Sequence, residues 1–191
     1  YEKSDKLGGQ LLHADYSSFK WPLREYKDYL IAQIAKSAVD VRLNTEAAPA
    51  DMDGYDVVIA AVGADPFILP IPGVDGQNVL TAEAAYDRVR EGAALGKDLV
   101  VLGGGLVGCE TGLFLAERGH DVTIIEMQDE IAPEANWMHK EGMMQSFAKA
   151  PITARTGLRV SRVEPGRGVY AVNGEGAEEF IAADTIVYAM G

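Results

Sequence analysis

The stretch Val100–Glu126 reads VVLGGGLVGCETGLFLAERGHDVTIIE, and it decides the fold. Its order predicts a buried strand, a glycine turn, a helix and a second buried strand that ends at a carboxylate. The turn Gly103–Gly108 fits the pattern G-x-G-x-x-G, and Glu126 follows its first glycine by 23 residues. In dinucleotide-binding units, the acidic residue follows the glycine motif by roughly 20 residues. With both strands, the helix and the acid in register, the sequence predicts a βαβ unit that binds a dinucleotide.

Each glycine of the turn has a predicted task. Gly103 permits the tight turn after the strand, Gly105 leaves the backbone open to a pyrophosphate, and Gly108 lets the helix lie close to the strand. The helix begins near Leu106 and directs its free amides and the positive end of its dipole at the phosphates. The predicted cofactor-binding residues of this unit are Gly103, Gly104, Gly105, Leu106, Val107, Gly108 and Glu126.

The acid that ends the second strand predicts which dinucleotide binds. Glu126 can accept hydrogen bonds from both hydroxyls of an adenosine ribose. A 2′-phosphate would meet this negative charge, and residues 127–130 contain no arginine that could reverse the repulsion. The sequence therefore favours NAD(H) over NADP(H). The alternative is a βαβ unit whose glycines serve packing alone.

Composition argues against several other classes of protein. The chain has 191 residues, a formal net charge of −12 and a single cysteine, Cys109. No basic cluster offsets the acidic charge, which argues against nucleic acid or an acidic membrane surface as a partner. A lone cysteine, read as a small apolar residue against the sheet, and histidines without partners at ligand spacing predict no metal site. No apolar run approaches the roughly 20 residues of a membrane span, so we expect a cytoplasmic protein.

The same design occurs twice in the chain. The stretches 56–63 and 184–191 share the pattern D-x-x-x-x-A-x-G, and each reads as a short buried parallel strand. The aspartate of the second stretch follows Glu126 by 58 residues, and that of the first follows Glu2 by 54. Glu2 thus takes in the first copy the place of Glu126 in the second. The strand, turn and helix that should precede Glu2 are missing, so we expect an excised piece of a longer protein.

The other segments have simpler patterns. We predict a loop over 3–20, a helix from Pro22 to about Lys36, a short strand at 39–44, an extended connection at 66–75, helices at 81–91 and 136–149, and an antiparallel meander at 159–163, 169–172 and 179–181.

Taken together, these motifs resemble the two-dinucleotide flavoprotein reductases, which are similar to the pyridine nucleotide-disulphide oxidoreductases. The resemblance rests on residues 1–3 (YEK) followed by 7–11 (LGGQL), on the repeated D-x-x-x-x-A-x-G, and on residues 103–110 (GGGLVGCE). It covers essentially the whole chain. Within this superfamily the chain is most similar to the carboxy-terminal half of bacterial 2,4-dienoyl-CoA reductases and old-yellow-enzyme-like NADH:flavin oxidoreductases.

The resemblance implies the fold and its domains. The implied fold is α/β, a Rossmann-like three-layer FAD/NAD(P)-binding fold with a parallel sheet and a small antiparallel meander, and with its first copy truncated. Residues 1–80 would form a partial FAD-binding domain, 81–97 a connecting helix, and 98–191 the NAD(H)-binding domain.

The resemblance also implies further site residues. In the first copy, the residues that approach FAD would be Glu2, Lys3, Gly8, Gly9, Gln10 and Gly63. In the second copy, Gly191 would join the turn and Glu126. Glu110 matches a position near the nicotinamide, where a carboxylate can orient the carboxamide. The alternative for Glu110 is a glutamate on the helix surface, near the positive end of the dipole.

The activity that the resemblance implies is hydride transfer from NADH to FAD, in which the cofactors supply the chemistry. In the full-length relatives, electrons then pass through a 4Fe-4S cluster to FMN in an amino-terminal barrel, where an enoate-type double bond is reduced. Those parts lie outside this chain. The partners would be NADH, FAD and the remaining domains of the parent protein, and the piece alone would be inactive. The alternative is a non-catalytic scaffold that holds ADP, as in the related trimethylamine and histamine dehydrogenases.

Overall fold

The structure, a computed structural model, describes residues 1–15 and 17–190. The chain forms two compact units, Tyr1–Asp65 and Pro66–Gly191. The boundary therefore follows Asp65, whereas the sequence placed the end of the first domain at residue 80. Residues 67–69 are held within the second unit, because Tyr188 Oη donates to the Phe67 carbonyl oxygen (3.1 Å) and accepts from the Leu69 amide (2.8 Å).

Among its described residues, the first unit contains two α-helices, α1 (Leu11–Ala14) and α2 (Trp21–Lys36), and two short 3-10 helices at Ser18–Lys20 and Pro49–Met52. The long helix α2 confirms the prediction made from Pro22 and the apolar spacing that follows it. α1 is a single turn inside the segment predicted as a loop. The buried carboxylate of Asp15 accepts a hydrogen bond from Lys27 Nζ at 2.5 Å, and this ion pair ties α2 to the segment before it.

Two strands predicted for the first unit are absent from its described residues, so both predictions are wrong for this structure. Residues 56–63 pair with no strand, and Ile59 and Val62 are 85% and 91% exposed. Residues 39–44 are irregular, although Arg42 O accepts from the Glu2 amide at 2.9 Å. A buried parallel strand requires paired edges and covered faces. Residues 42–45 do have main-chain hydrogen bonds to residues 2–4, but residues 39–44 and 56–63 are exposed in the described unit.

The second unit contains a parallel sheet and an antiparallel sheet. Its strands are β1 (Val79–Thr81), β2 (Asp98–Leu102), β3 (Asp121–Ile125), β4 (Ile152–Arg155), β5 (Leu158–Glu164), β6 (Gly168–Asn173), β7 (Glu178–Ala182) and β8 (Thr185–Tyr188). The parallel sheet has the order β1-β8-β2-β3-β4, and β5, β6 and β7 form the predicted antiparallel meander. Because β2 and β8 lie in the middle of the parallel sheet, their apolar residues are buried on both faces.

Three helices belong to this unit: α3 (Ala82–Arg90), α4 (Leu106–Ala116) and α5 (Trp137–Phe147). α3 begins where the sequence predicted, because Thr81 Oγ1 accepts from the Ala84 amide at 3.2 Å. α5 is capped in the same way by Asn136, whose side chain accepts from the Met138 amide at 3.0 Å. Met138 is exposed and Met143 is buried, so the methionines of α5 do not share one environment.

The core of this unit has three layers. One face of the parallel sheet packs on the meander through residues that include Val100, Ile186 and Val169. Successive side chains of a strand point to opposite faces, and the alternate residues face the buried side of α4. The predicted α/β fold, with a parallel sheet and a small antiparallel sheet, is confirmed. The described helices include none that is long and apolar enough to cross a membrane.

Asp184 joins the starts of β8 and β2. Its Oδ2 accepts hydrogen bonds from the amides of Lys97 (2.6 Å) and Asp98 (3.0 Å). These two donors lower the pKa of the Asp184 carboxyl group below its ordinary value. The aspartate of the D-x-x-x-x-A-x-G pattern is therefore a structural residue in the second copy.

We expect Asp184→Asn to reduce the free energy of unfolding at pH 7, and the difference from wild type to shrink in acid. Because folding lowers the pKa, the carboxylate stabilises the fold above its unfolded pKa of about 3.9. That stabilisation is lost as the pH falls through the folded-state pKa. Urea unfolding of both proteins at neutral pH and at about pH 3 measures the difference. A difference that does not change with pH would contradict this role.

Candidate functional site

The parallel sheet brings the turn and the acid of the fingerprint to one edge. β2, β3 and β8 end level with one another, since Leu102 lies opposite both Ile125 and Tyr188. Gly103 and Glu126 therefore leave the sheet side by side at its carboxyl edge. In open α/β sheets, this edge is where ligands bind.

The backbone requires glycine at the first position of the turn. Gly103 has φ = +101°, a conformation that L residues rarely adopt. Its amide donates to the carbonyl oxygen of Ile125 at 2.9 Å, which fixes the turn to the end of β3. A β-carbon at Gly103 would lie 2.6 Å from the carbonyl oxygen of Ala189. The turn can therefore follow β2 this closely only with glycine here.

Gly108 and Gly104 are required by packing within the chain. A β-carbon at Gly108 would collide with the carbonyl oxygen of Gly103, so α4 lies directly against the turn. A β-carbon at Gly104 would lie 2.8 Å from Glu126 Cβ and 2.9 Å from Ile131 Cγ2. The sequence predicted the packing task of Gly108, whereas Gly104 was predicted as a cofactor-binding residue and also serves the fold.

Gly105 differs from the other glycines because the chain itself leaves its β-carbon position open. It precedes α4 with φ = −66° and ψ = −178°, values open to any residue. The one neighbour within 4 Å of a β-carbon there is Glu134 Oε1, at 3.3 Å. This face of the turn is free of backbone and lies at the N-terminus of a helix. The space therefore fits a diphosphate.

Glu126 is a buried carboxylate, 8% exposed, that is held by two main-chain amides. Its Oε2 accepts from Gly104 and its Oε1 from Gln128, both at 2.7 Å. The sequence predicted a contact with a ribose. The structure adds a second task, because the same side chain ties the end of β3 to the glycine turn. Each carboxylate oxygen can accept a further hydrogen bond.

A loop that the sequence analysis did not single out completes the site. Ile131 and Ala132 are buried, and the Ala132 amide donates to the carbonyl oxygen of Gly104 at 2.7 Å. Ala132 has φ = +44°, which is uncommon for a residue other than glycine. Two positions further on, Glu134 Oε1 accepts from the Leu106 amide at 2.5 Å. A carboxylate of the chain therefore lies on the first amide of α4.

Glu110 lies on α4 beside a histidine of α5. Its Oε1 is 3.1 Å from His139 Nε2, and the side chain of Glu110 is 12% exposed. The carboxylate is thus held beside His139 near the start of α4. Val107, one turn earlier on the helix, is exposed.

Cys109 is a structural residue. Its thiol is buried and donates to the carbonyl oxygen of Gly104 at 3.3 Å. Burial, with Glu134, Glu126 and Glu110 nearby, raises the pKa of this thiol to about 12. A thiol that does not ionise near neutral pH is a poor nucleophile, which confirms that Cys109 packs as a small apolar residue. Among the described residues, no group of three or more candidate ligands could hold a metal ion.

Two of the predicted residues of the first unit, Glu2 and Lys3, line a cavity of about 550 Å³ together with residues 57–62. Glu2 Oε1 accepts from the Ser4 amide at 2.8 Å, and this donor lowers the pKa of Glu2. An ionised carboxylate in an open cavity fits the hydroxyls of a ribose. The predicted glycines Gly8, Gly9 and Gly63 all have positive φ, Gln10 directly precedes α1, and Gly191 lies outside the described residues.

The comparisons with known proteins agree with this geometry. The model of the pyridine nucleotide-disulphide oxidoreductase family matches residues 24–191. This chain belongs to that family. The resemblance expected from the sequence is confirmed at the level of this family.

The relatives are oxidases and reductases. The chain is 40% identical over 195 residues to an NADH oxidase of Thermoanaerobacter brockii, covering 100% of this chain and 30% of the relative. It is 35% identical over 194 residues to a bilirubin reductase of Mediterraneibacter gnavus, and the match covers 100% of this chain and 29% of the relative. A solved structure of a 2-naphthoyl-CoA reductase superposes with a TM-score of 0.90 at 28% identity. The match covers 100% of this chain and 28% of that structure's chain. The chain thus spans about 30% of the length of the curated relatives it matches.

Proposed function

We propose that this chain is the nucleotide-binding part of an NADH-dependent flavoprotein reductase that passes hydride from NADH to FAD. One observation carries the proposal: the open face of Gly105 at the start of α4 lies beside the buried carboxylate of Glu126. The first feature suits a pyrophosphate and the second suits the adjoining ribose. When bound, NADH supplies the hydride and FAD accepts it, while the chain positions both.

The charges around Glu126 support a preference for NADH over NADPH. Two cations of neighbouring segments are already paired with other carboxylates. Arg155 lies 2.8 Å from Glu179, and Lys140 lies 2.8 Å from Glu130. A 2′-phosphate beside Glu126 would therefore meet a negative charge. Arg155 and Lys140 would not offset this charge, because each already forms an ion pair with another carboxylate.

The proposal assigns the remaining predicted residues as follows. Glu110 orients the carboxamide of the nicotinamide, supported by its fixed place beside His139. Glu2, in its open cavity, binds the ribose of FAD, with Lys3, Gly8, Gly9, Gln10 and Gly63 around that cofactor. Gly191, outside the described residues, is proposed to contribute to the nicotinamide nucleotide site. The cytoplasm remains the proposed location.

We further propose an enoate-type reductase as the parent protein, similar to the dienoyl-CoA reductases. Two relatives support this class. The chain is 32% identical to a cinnamate reductase of Clostridium sporogenes, and its fold matches that of 2-naphthoyl-CoA reductase. Both names denote compounds with a conjugated carbonyl group. FMN and a 4Fe-4S cluster would then belong to the remaining domains. These relatives favour hydride transfer over an ADP-binding scaffold.

Calorimetric titration of the full chain with NADH, NADPH and ADP tests the proposal. We expect NADH to bind more tightly than NADPH, because only NADPH places a phosphate beside Glu126. NADH should also bind more tightly than ADP, because the nicotinamide half adds contacts. Equal affinities for ADP and NADH would support the scaffold instead, and tighter binding of NADPH would contradict the role of Glu126.

Glu126→Gln should lower the affinity for NADH about tenfold, which corresponds to about 1.4 kcal/mol. The neutral amide accepts weaker hydrogen bonds from the ribose. It also no longer repels a 2′-phosphate, so the ratio of NADPH to NADH dissociation constants should fall. Titration with both nucleotides measures this ratio. Glu130→Gln is the control, because it removes the same charge from a carboxylate paired with Lys140. An unchanged ratio in Glu126→Gln would contradict the assignment.

A further inference from the structure

Glu134 occupies the place that the proposed diphosphate requires. Its Oε1 lies 2.5 Å from the amide nitrogen of Leu106, the first residue of α4. The same oxygen lies 3.3 Å from the position of a β-carbon on Gly105. Both the amide and the open glycine face are thus covered by a carboxylate of the chain. A carboxylate and a phosphate are interchangeable ligands of a helix N-terminus.

The backbone on both sides of Glu134 is held by hydrogen bonds, whereas its side chain lies in solvent apart from its contact with Leu106. On one side, Ala132 is buried and bonded to Gly104, and on the other Asn136 caps α5. Glu134 itself is exposed. Its carboxylate can therefore leave the Leu106 amide by rotation of the side chain, while the loop remains in place.

A diphosphate and this carboxylate cannot share the site. Glu134, Glu126 and Glu110 already surround Cys109 with negative charge. A diphosphate adds further negative charge at the same amide, and like charges at contact distance repel strongly outside bulk water. One of the two anions must therefore leave.

We infer that Glu134 is an intramolecular competitor for the diphosphate of the nucleotide. This inference rests on the proposed function, because it requires a dinucleotide at this turn. The carboxylate holds the amide of Leu106 while the site is empty and is displaced when the nucleotide enters. It lowers the affinity for every ligand that carries a phosphate at this position.

The test is calorimetric titration of wild type and Glu134→Ala with ADP, NADH and adenosine. We expect the dissociation constants of ADP and NADH to fall about threefold to tenfold in the variant, which is the range for a charge at a helix terminus. Adenosine has no phosphate, so its dissociation constant should not change. Glu134→Gln should show an intermediate gain for ADP, since the neutral amide still accepts a hydrogen bond but bears no charge.

Glu130→Gln is the matched control, because it removes one charge from the same loop at a carboxylate paired with Lys140. Its affinity for ADP should change less than twofold, since an exposed charge that is already paired with Lys140 contributes little. The amide proton of Leu106, followed by NMR, should shift in Glu134→Ala without ligand and not in Glu130→Gln.

Three outcomes would overturn the inference while leaving the nucleotide site intact. The first is an unchanged affinity of Glu134→Ala for ADP and NADH. The second is weaker binding of ADP by this variant, which would make Glu134 a ligand contact. The third is an equal gain in affinity for adenosine. A wild-type protein and variants that bind neither NADH nor ADP would instead contradict the proposed function, and the inference would fall with it.

Discussion

Gly108→Ala should destabilise the second unit by about 2–3 kcal/mol, the cost of adding a methyl group where the structure has no room. The new β-carbon would collide with the carbonyl oxygen of Gly103. That carbonyl cannot move freely, because the Gly103 amide is bonded to Ile125 and its φ is +101°. The clash must be relieved by moving α4 away from β2. Nucleotide binding should fall as well, because α4 carries the amide of Leu106.

The matched control for this prediction is Gly142→Ala on α5. Gly142 also lies inside a helix, but nothing lies within 4 Å of its β-carbon position. Alanine is better than glycine in a helix by about 1 kcal/mol, so this substitution should stabilise the protein. Urea unfolding in a Trp21→Phe background measures both variants, because Trp137 then reports on the second unit. Equal stabilities of the two variants would contradict the close contact between α4 and the turn.

Gly105→Val should weaken the binding of NADH and ADP about 100-fold, or about 2.7 kcal/mol, with little effect on stability. The backbone angles of Gly105 suit valine, and its β-carbon would meet one flexible carboxylate oxygen. The branched side chain would fill the space in which a pyrophosphate must approach the main chain. Titration measures the affinity, and urea unfolding should show a loss of less than about 1 kcal/mol, in line with a poorer N-cap.

A double variant separates two explanations of such a loss. If valine acts by blocking the diphosphate, then Gly105→Val with Glu134→Ala should bind ADP as weakly as Gly105→Val alone. If valine acts by pushing Glu134 into the ligand, the double variant should recover affinity. Recovery greater than the gain that Glu134→Ala gives on its own would contradict the open face at Gly105 as the position of the diphosphate.

The second copy of the repeat was predictable because its pattern is local. The strand, turn, helix and strand of residues 100–126 follow one another directly in the sequence. A glycine, a helix cap or an acidic residue marks each boundary between them. The two D-x-x-x-x-A-x-G stretches show where such patterns fail. The stretch that begins at Asp184 lies in β8 between β1 and β2. The stretch 56–63 has the same apolar pattern and is exposed, because burial of a strand depends on neighbours that its own sequence does not contain.

The site was predictable to the same extent. The turn and Glu126 follow from spacing, and the sheet register brings them together. Glu134 was not predictable, because its place depends on a loop whose conformation is set by a contact between Ala132 and Gly104. The approach of Glu110 to His139 also depends on how α4 and α5 pack. Contacts between irregular segments, or between segments distant in the sequence, produce no periodic pattern of residues from which they could be predicted.

The two main-chain hydrogen bonds of Glu126 have a consequence for cofactor engineering. Redesign of a nucleotide preference usually begins by removing the acid that faces the ribose. In this protein that change would also leave the amides of Gly104 and Gln128 without their acceptor, and an unpaired buried amide costs about 1–3 kcal/mol. A successful redesign would therefore keep the carboxylate at position 126, because serine and glutamine each offer only one oxygen for the two amides. It would introduce the cation for the 2′-phosphate from the exposed residues 127–130 instead.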